Sequence, residues 1–392
     1  MRRLQLYTAG ESHGPGLSLI LEGLPMGLRV DSAKIDADLA RRQEGYGRGG
    51  RMKIEHDRVK ITGGLRRGRT LGSPLALWIE NLDHPNWERS MRPEARRGDP
   101  PPTPLTQPRP GHADLAGVLK TGTGDVRDIL ERASARETAA RVAAGAVCRA
   151  LLGELGVTIF SHVLSIGGVK AHPEYGDLAA LAAAARADDL HVADPEASAR
   201  MRKTIKAVWQ DGDTLGGVAE VVAMGLPPGL GSYVHWERRL DGRLAQAVMS
   251  IPAVKGVEIG PAFDIAHTRG SRAMDEILPG QAGGPLRYRR DTNRAGGLEG
   301  GMTNGEPLIL RAAMKPLSTL MKPLRSVDIA SGRAVQAAKE RSDCCAVPAM
   351  GIVMEAMTAL VLADAVLEEF PAPTVADLKS AWRRYQRRLA RR

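Results

Sequence analysis

Aromatic residues are scarce in this sequence. Phe, Trp and Tyr make up 4% of the 392 residues, against 43% for all hydrophobic types. The interior must therefore be aliphatic and alanine-rich, and few rings are left to stack on nucleic-acid bases. Cysteine is rarer still. Cys148, Cys344 and Cys345 are the full set, too few for a disulfide framework, and no C-x-x-C or Cys/His ligand spacing points to a metal. A reducing, cytoplasmic setting is expected, with no metal site. Long uncharged apolar runs are also missing. The opening "MRRLQLYTAGESHG" has no signal-peptide core. The longest apolar helix candidate, near 348–370, carries Glu355, Asp364, Glu368 and Glu369, which argues against a membrane span.

Positive charge, by contrast, is in excess, with Lys and Arg exceeding Asp and Glu by +10. Part of it is a solvated basic tail, "RRYQRRLARR". Nucleic acid is one partner such a charge could serve, although no recognised motif for it occurs. An anionic small molecule is another. Arg42, Arg48, Arg51, Arg66, Arg67 and Arg69 fall among glycines and turn residues, where loops build binding sites, and this placement favours the small anion.

The length exceeds what one ordinary core organises, and Gly 44 with Pro 25 implies many turns. Alternation predicts strands at 17–24, 57–63, 74–80, 157–166, 217–225 and 306–314. Helices are expected over 32–43, 178–187, 235–249, 331–340 and 348–370, with a basic one from Thr374. Residues 83–111, rich in Pro and Gly, read as a long functional loop. Ser134 and Glu137 form a capping-box pattern opening an Ala-rich helix that ends near Gly156.

"GLPMGL" (23–28) and "GLPPGL" (225–230) each follow an alternating strand and precede a polar helix. Such self-similarity implies a duplicated α+β unit. The expected architecture is α+β: one domain over 1–392, with pseudo-repeat halves of about 1–200 and 201–392. Its central helices would lie between two antiparallel sheets, a layered β-α-β sandwich that buries both apolar sheet faces.

"GESHG" (10–14) formally matches the nucleophile elbow G-x-S-x-G, with Ser12 as nucleophile. It stands too early for a preceding oxyanion loop, and a strand follows it rather than a helix. "GYGRGG" (45–50) matches G-x-G-x-x-G, but a helix precedes it, so the dinucleotide geometry is missing. What remains is a distributed constellation. His13 lies in "GESHGPG", Arg109 and His112 in "RPGH", and Arg132, Ser134 and Arg136 at a helix start that favours anions. "GGLEGGMTNGE" exposes backbone, "KPLST" (315–319) offers a cation and hydroxyls, and "RSD" joins Arg341, Ser342 and Asp343. Together these describe a pocket for a polyanion.

"GESHGPGL", "RPGHADLAG", "RASARETAARVAAGAV", "MSIPAVKGVEIG", "GGLEGGMTNGEPLILRAAMKPLST" and "ERSDCCAVPAMG" resemble, in order and over nearly the whole chain, the motifs of the chorismate synthase family. The resemblance implies an anti-1,4-elimination of phosphate from 5-enolpyruvylshikimate 3-phosphate, dependent on reduced FMN. It also implies a homotetramer of β-α-β subunits. It assigns His13, His112 and Asp343 to catalysis: His13 at the reduced flavin, His112 at the departing phosphate, Asp343 with flavin N5 at the ring proton. Arg42, Arg48, Arg51, Arg109 and Arg136 would bind the anions together with Ser12 and Ser342. Arg132, Ala133, Ser134, Pro252, Ala253, Gly300, Lys315, Pro316, Leu317, Ser318, Thr319 and Arg341 match flavin-contacting positions. At Pro252 the family commonly has Asn or Gln, so a side-chain amide and a backbone N–H are lost there. No nicotinamide fingerprint occurs, so an external source of reduced flavin is expected rather than NADPH turnover by this chain. A Ser12 hydrolase and a basic nucleic-acid binder stay as alternative readings.

Overall fold

Alternation in "LSLILEGL" produces the strand it predicts. Leu17, Leu19 and Leu21 are buried, whereas Ile20 on the opposite side is 44% exposed. This strand belongs to the first of two principal sheets in a computed structural model that describes residues 3–99, 102–280, 286–340 and 343–391. The first sheet contains β1 (Gln5–Ala9), β2 (Gly16–Glu22), β3 (Val59–Gly63) and β4 (Leu75–Glu80), in the antiparallel order β1-β2-β4-β3. The second contains β5 (Thr158–Ile166), β6 (Val169–Lys170), β7 (Gly217–Met224), β8 (Val254–Ile259) and β9 (Leu308–Met314). Its antiparallel order is β8-β9-β7-β5-β6.

The longer helices are α1 (Ser32–Gln43), α2 (Asp114–Thr121), α3 (Arg127–Ala133), α4 (Thr138–Gly153), α5 (Leu178–Ala187), α6 (Pro195–Gln210), α7 (Leu240–Met249), α8 (Val347–Glu369) and α9 (Val375–Ala390). Helix α4 touches β2 of one sheet, β5 of the other, and α8 along its length. Small residues permit that approach: a Cβ on Gly145 would meet the Ala356 Cβ at 2.3 Å. Helix α8 is long and apolar enough to cross a membrane, but 89% of its apolar window is buried inside the protein. Its Glu355 is buried too, paired with Arg41 at 2.8 Å and Arg149 at 3.0 Å and accepting from Ser161. A buried carboxylate is tolerated only with such partners.

The two "GLP" turns make the same bonds. Thr70 Oγ1 donates to the Pro25 carbonyl at 2.6 Å and accepts from Leu28 N at 2.9 Å. Thr303 Oγ1 donates to the Pro227 carbonyl at 2.6 Å and accepts from Leu230 N at 2.9 Å. The strands β1, β2, β3 and β4 also occupy the same relative places in their sheet as β5, β7, β8 and β9 in theirs.

Two expectations from the sequence change, and some elements form where none was expected. The helix over 331–340 is instead a hairpin strand, Ala334–Gln336, paired with Arg325–Val327. The Asp328 carboxylate accepts from Ala330 N and Ser331 N, and this turn competes with helix formation. The Ser134/Glu137 box does not close. Ser134 Oγ accepts from Arg136 N at 3.3 Å, while Glu137 bonds Thr8 and Arg141. Helix α6 has no counterpart in the sequence expectation, although Asp194 caps it and Pro195 opens it.

Candidate active site

A single amide makes three bonds to the loop between β1 and β2. Asn81 Nδ2 donates to the carbonyls of Glu11, Ser12 and Gly14 at 3.0, 3.3 and 2.7 Å. Its side-chain oxygen accepts from Arg136 Nε at 2.8 Å. Asn81 sits just past β4, so the first sheet positions both the loop and an arginine. His13 stacks at 4.1 Å on Trp87, and its Nδ1 lies 2.9 and 3.1 Å from the two Glu131 oxygens.

Arginines enter from three directions, each with a carboxylate behind it. Arg42, at the end of α1, donates to Asp57 at 2.7 Å, and Arg136 donates to the same carboxylate at 2.5 Å. Burial pushes the Asp57 carboxyl up, but the charges of Arg42 and Arg136 outweigh burial and hold it below the usual range. Arg48 pairs with Asp343 at 3.0 Å, and Gly49 N donates to Asp343 at 2.6 Å. Arg51 donates to Ser12 Oγ at 2.7 Å. Arg109 donates to Asp114 at 2.9 Å and to Thr319 Oγ1 at 2.9 Å. His112 Nδ1 bonds Asp114 as well. Asp114 is buried, yet its bonds from His112 and Arg109 hold its carboxyl well below the ordinary range.

These groups face one cavity of about 450 Å³. It is lined by Ser12, His13, Arg42, Arg48, Arg51, Arg109, His112, Ala133, Ser134, Arg136, Pro252, Ala253, Lys315, Leu317, Ser318, Thr319 and Asp343. Met350 and Val353 of α8 supply an apolar wall. Burial, then the nearby Lys255, lower the Lys315 ammonium. Among the described residues, Arg42 Nε and Arg48 Nε are buried without a partner. Such a donor set favours an anion.

Three expected residues lie outside this lining. Arg132 turns away, donating to Gly10 O, Thr8 O and Thr8 Oγ1 at 3.1, 3.0 and 2.7 Å. Pro316 lies between lining residues without joining them. Gly300 sits in the turn between Leu298–Glu299 and Met302–Thr303, with no other group within 4 Å of where its Cβ would be. Arg341 and Ser342 lie outside the described residues. Pro252 is at the cavity, and the Ala253 carbonyl beside it already accepts from Lys315 N at 2.9 Å.

Sequence reading missed Glu131, Asp114, Asp57, Asn81 and Trp87. Asp114 was within reach, two residues past His112 in "RPGHAD". The other four acquire their roles only when distant segments meet.

A cavity with two carboxylate-backed imidazoles and a cationic wall belongs to an enzyme that handles a small, multiply charged anion. Residues 4–367 match the family model described as chorismate synthase. The chorismate synthase of Rubrobacter xylanophilus is 54% identical over 389 residues, 99% of this chain and 97% of the relative. That of Symbiobacterium thermophilum is 54% identical over 394 residues, 99% and 100% of the two chains. A crystal structure of chorismate synthase superposes with a TM-score of 0.80 at 40% identity, covering 100% of both chains. The chain belongs to the chorismate synthase family and is a lyase.

Proposed function

We propose that this protein forms chorismate by anti-1,4-elimination of phosphate from 5-enolpyruvylshikimate 3-phosphate, the last step of the shikimate pathway. The observation that carries the reading is the single cavity in which His13, His112 and Asp343 face Arg42, Arg48, Arg51, Arg109 and Arg136. The substrate brings two carboxylates and a phosphate. Burying even one such charge uncompensated costs on the order of tens of kcal/mol in the idealised limit. Arginines already oriented by Asp57, Asp114 and Asp343 offset that cost. His112 would give a proton to the departing phosphate, and Asp343 would take the ring proton. Imidazole suits such transfers near neutral pH.

The donor set also fits FMN. Lys315, Ser318, Thr319 and Ser134 would hold it, with Ala133, Leu317, Pro252 and Ala253 packed alongside. When bound, reduced FMN would supply transient electron density as phosphate leaves. The contact that an amide at position 252 would make is absent, and the Ala253 carbonyl is engaged. Flavin binding therefore rests more heavily on 315–319.

The matching turns of Thr70 and Thr303 and the shared strand order support a duplicated unit, with its helices sandwiched between the two sheets, in one domain over 1–392. Exposed Ile20, Tyr233, Val234 and Trp236, at 44, 74, 65 and 72%, support burial against further copies in a homotetramer. We place the enzyme in the cytoplasm, supplied with reduced flavin from outside.

The deciding experiment supplies 5-enolpyruvylshikimate 3-phosphate with chemically reduced FMN under anaerobic conditions. Chorismate and phosphate are expected in equal amounts. Folded protein that makes neither overturns the reading. NADPH-driven turnover by the protein alone would overturn the external flavin source, and light scattering at monomer mass would overturn the tetramer.

A further inference from the structure

Glu131, third from the C-terminal end of α3, is 4% exposed and spends its carboxylate on the loop that carries His13. Oε1 lies 2.9 Å from His13 Nδ1, and Oε2 accepts from His13 N at 2.8 Å. The Glu131 carbonyl accepts from Ser12 N at 3.0 Å. Arg127, one turn earlier, donates to Oε1 at 2.9 Å, and its guanidinium covers Trp87 at 4.8 Å. Burial raises the Glu131 carboxyl, but the bonds from His13 and Arg127 outweigh it and keep it ionised.

Two independent neighbours define the proton on His13. An ionised carboxylate only accepts, so Nδ1 must carry hydrogen. On the other ring nitrogen, Arg51 Nη1 approaches Nε2 at 3.4 Å, and a guanidinium only donates. Both contacts select one neutral tautomer, Nδ1–H with the Nε2 lone pair directed away from Glu131. Trp87 packs against the ring, its centroid 4.1 Å from that of the imidazole.

We propose that Glu131 is a positioning residue for the reaction, holding His13 in the Nδ1–H tautomer so that Nε2 is the atom that accepts and returns a proton. When Nε2 gains a proton, the imidazolium charge meets the Glu131 carboxylate across the existing Nδ1–H bond. When that proton leaves, the starting tautomer is restored, and no bond in Glu131 changes. The role in turnover rests on the chorismate-forming reading; the tautomer does not.

The test combines a spectrum with a rate. Histidine-labelled ¹⁵N protein, with His13 assigned through H13Q, is recorded above the histidine titration range. Wild type is expected to show a protonated Nδ1 and a bare Nε2, E131Q to keep that pattern, and E131A to shift toward Nε2–H. In anaerobic turnover, E131A should lower kcat about tenfold or more with KM nearly unchanged, and E131Q should recover most of it. An Nε2–H tautomer in wild type overturns the proposal, even if E131A fails to fold. So does E131A with wild-type kcat. A wild type that shows the Nδ1–H tautomer yet makes no chorismate overturns the functional reading and leaves the tautomer assignment intact.

Discussion

Ser12 Oγ accepts a hydrogen bond from Arg51 Nη1 at 2.7 Å, while Nη2 of the same guanidinium donates to the Ser12 carbonyl at 2.5 Å. Ser134 Oγ donates to Ser12 Oγ as well, at 3.0 Å. A nucleophilic serine gives its proton to a base, whereas this hydroxyl serves as an anchor for an arginine. S12A should therefore reduce chorismate formation by about ten- to a hundredfold, the worth of one charge-assisted hydrogen bond, without abolishing it. A fluorophosphonate should leave no adduct, which mass spectrometry would check. Stoichiometric labelling at Ser12 would revive the hydrolase reading.

Asp343 is tied to Gly49 N and Arg48 on one side of the cavity, and His112 to Asp114 on the other. If they move protons, H112A and D343N should each lower kcat by about a hundredfold or more. D343N keeps an oxygen for Gly49 N, so its loss reports the charge and not the shape. Near-normal single-turnover rates in both variants would remove them from catalysis.

Asp57 carries two buried guanidinium groups, so D57N should cost about 3–5 kcal/mol, as expected when one partner of a buried pair is removed. The Asp57 carboxyl lies below its ordinary value when folded, as do those of Asp114, Glu131, Glu220 and Glu355. The unfolded chain then binds more protons in acid. The stability these groups contribute is complete above the ordinary carboxylate range, near ~4, and is lost as pH falls through and below it. Urea midpoints should drop between about pH 5 and pH 3, with a shallower drop in D57N. An equal drop in both proteins would contradict the pairing.

The cysteines should be inert in the folded state. Burial pushes the Cys344 thiol up to about 11 and the Cys345 thiol up to about 12, and raises that of Cys148 as well. At pH 8 the folded protein should react with Ellman's reagent only slowly, because the thiolate is the reactive form. In denaturant all three thiols should appear. Rapid native labelling would show that one of them opens to solvent.

Periodicity made much of the fold readable. It fixed α1 at Ser32–Gln43 and identified β2 and β4, because each buries one regular set of apolar residues, while α8 was readable as a long apolar run buried on nearly every side. Residues 331–340 misled because their helical composition is overruled by the Asp328 turn, a local carboxylate-to-backbone contact. The site was legible in its histidines and in Arg48, Arg51 and Arg109, which stand close to glycines, whereas Arg42 closes α1 and Arg136 lies in a glycine-free turn. Glu131 and Asp57 were not, since a carboxylate on a helix or loop looks the same whether it faces water or an imidazole. Arg132 illustrates the converse: it belongs to a motif, yet its side chain points at β1.

The bond from Gly49 N to Asp343 joins residues 294 apart in sequence. The Gly47 carbonyl likewise receives Cys344 N at 2.8 Å. A chain emerging from the ribosome can complete its first sheet long before this wall of the cavity exists, and closing so long a loop is entropically slow. Until α8 has been made, α1 and α4 lack the helix they pack on, and Arg48 and Gly49 lack Asp343. Competence to bind an anion arrives late, with the segment leading into α8.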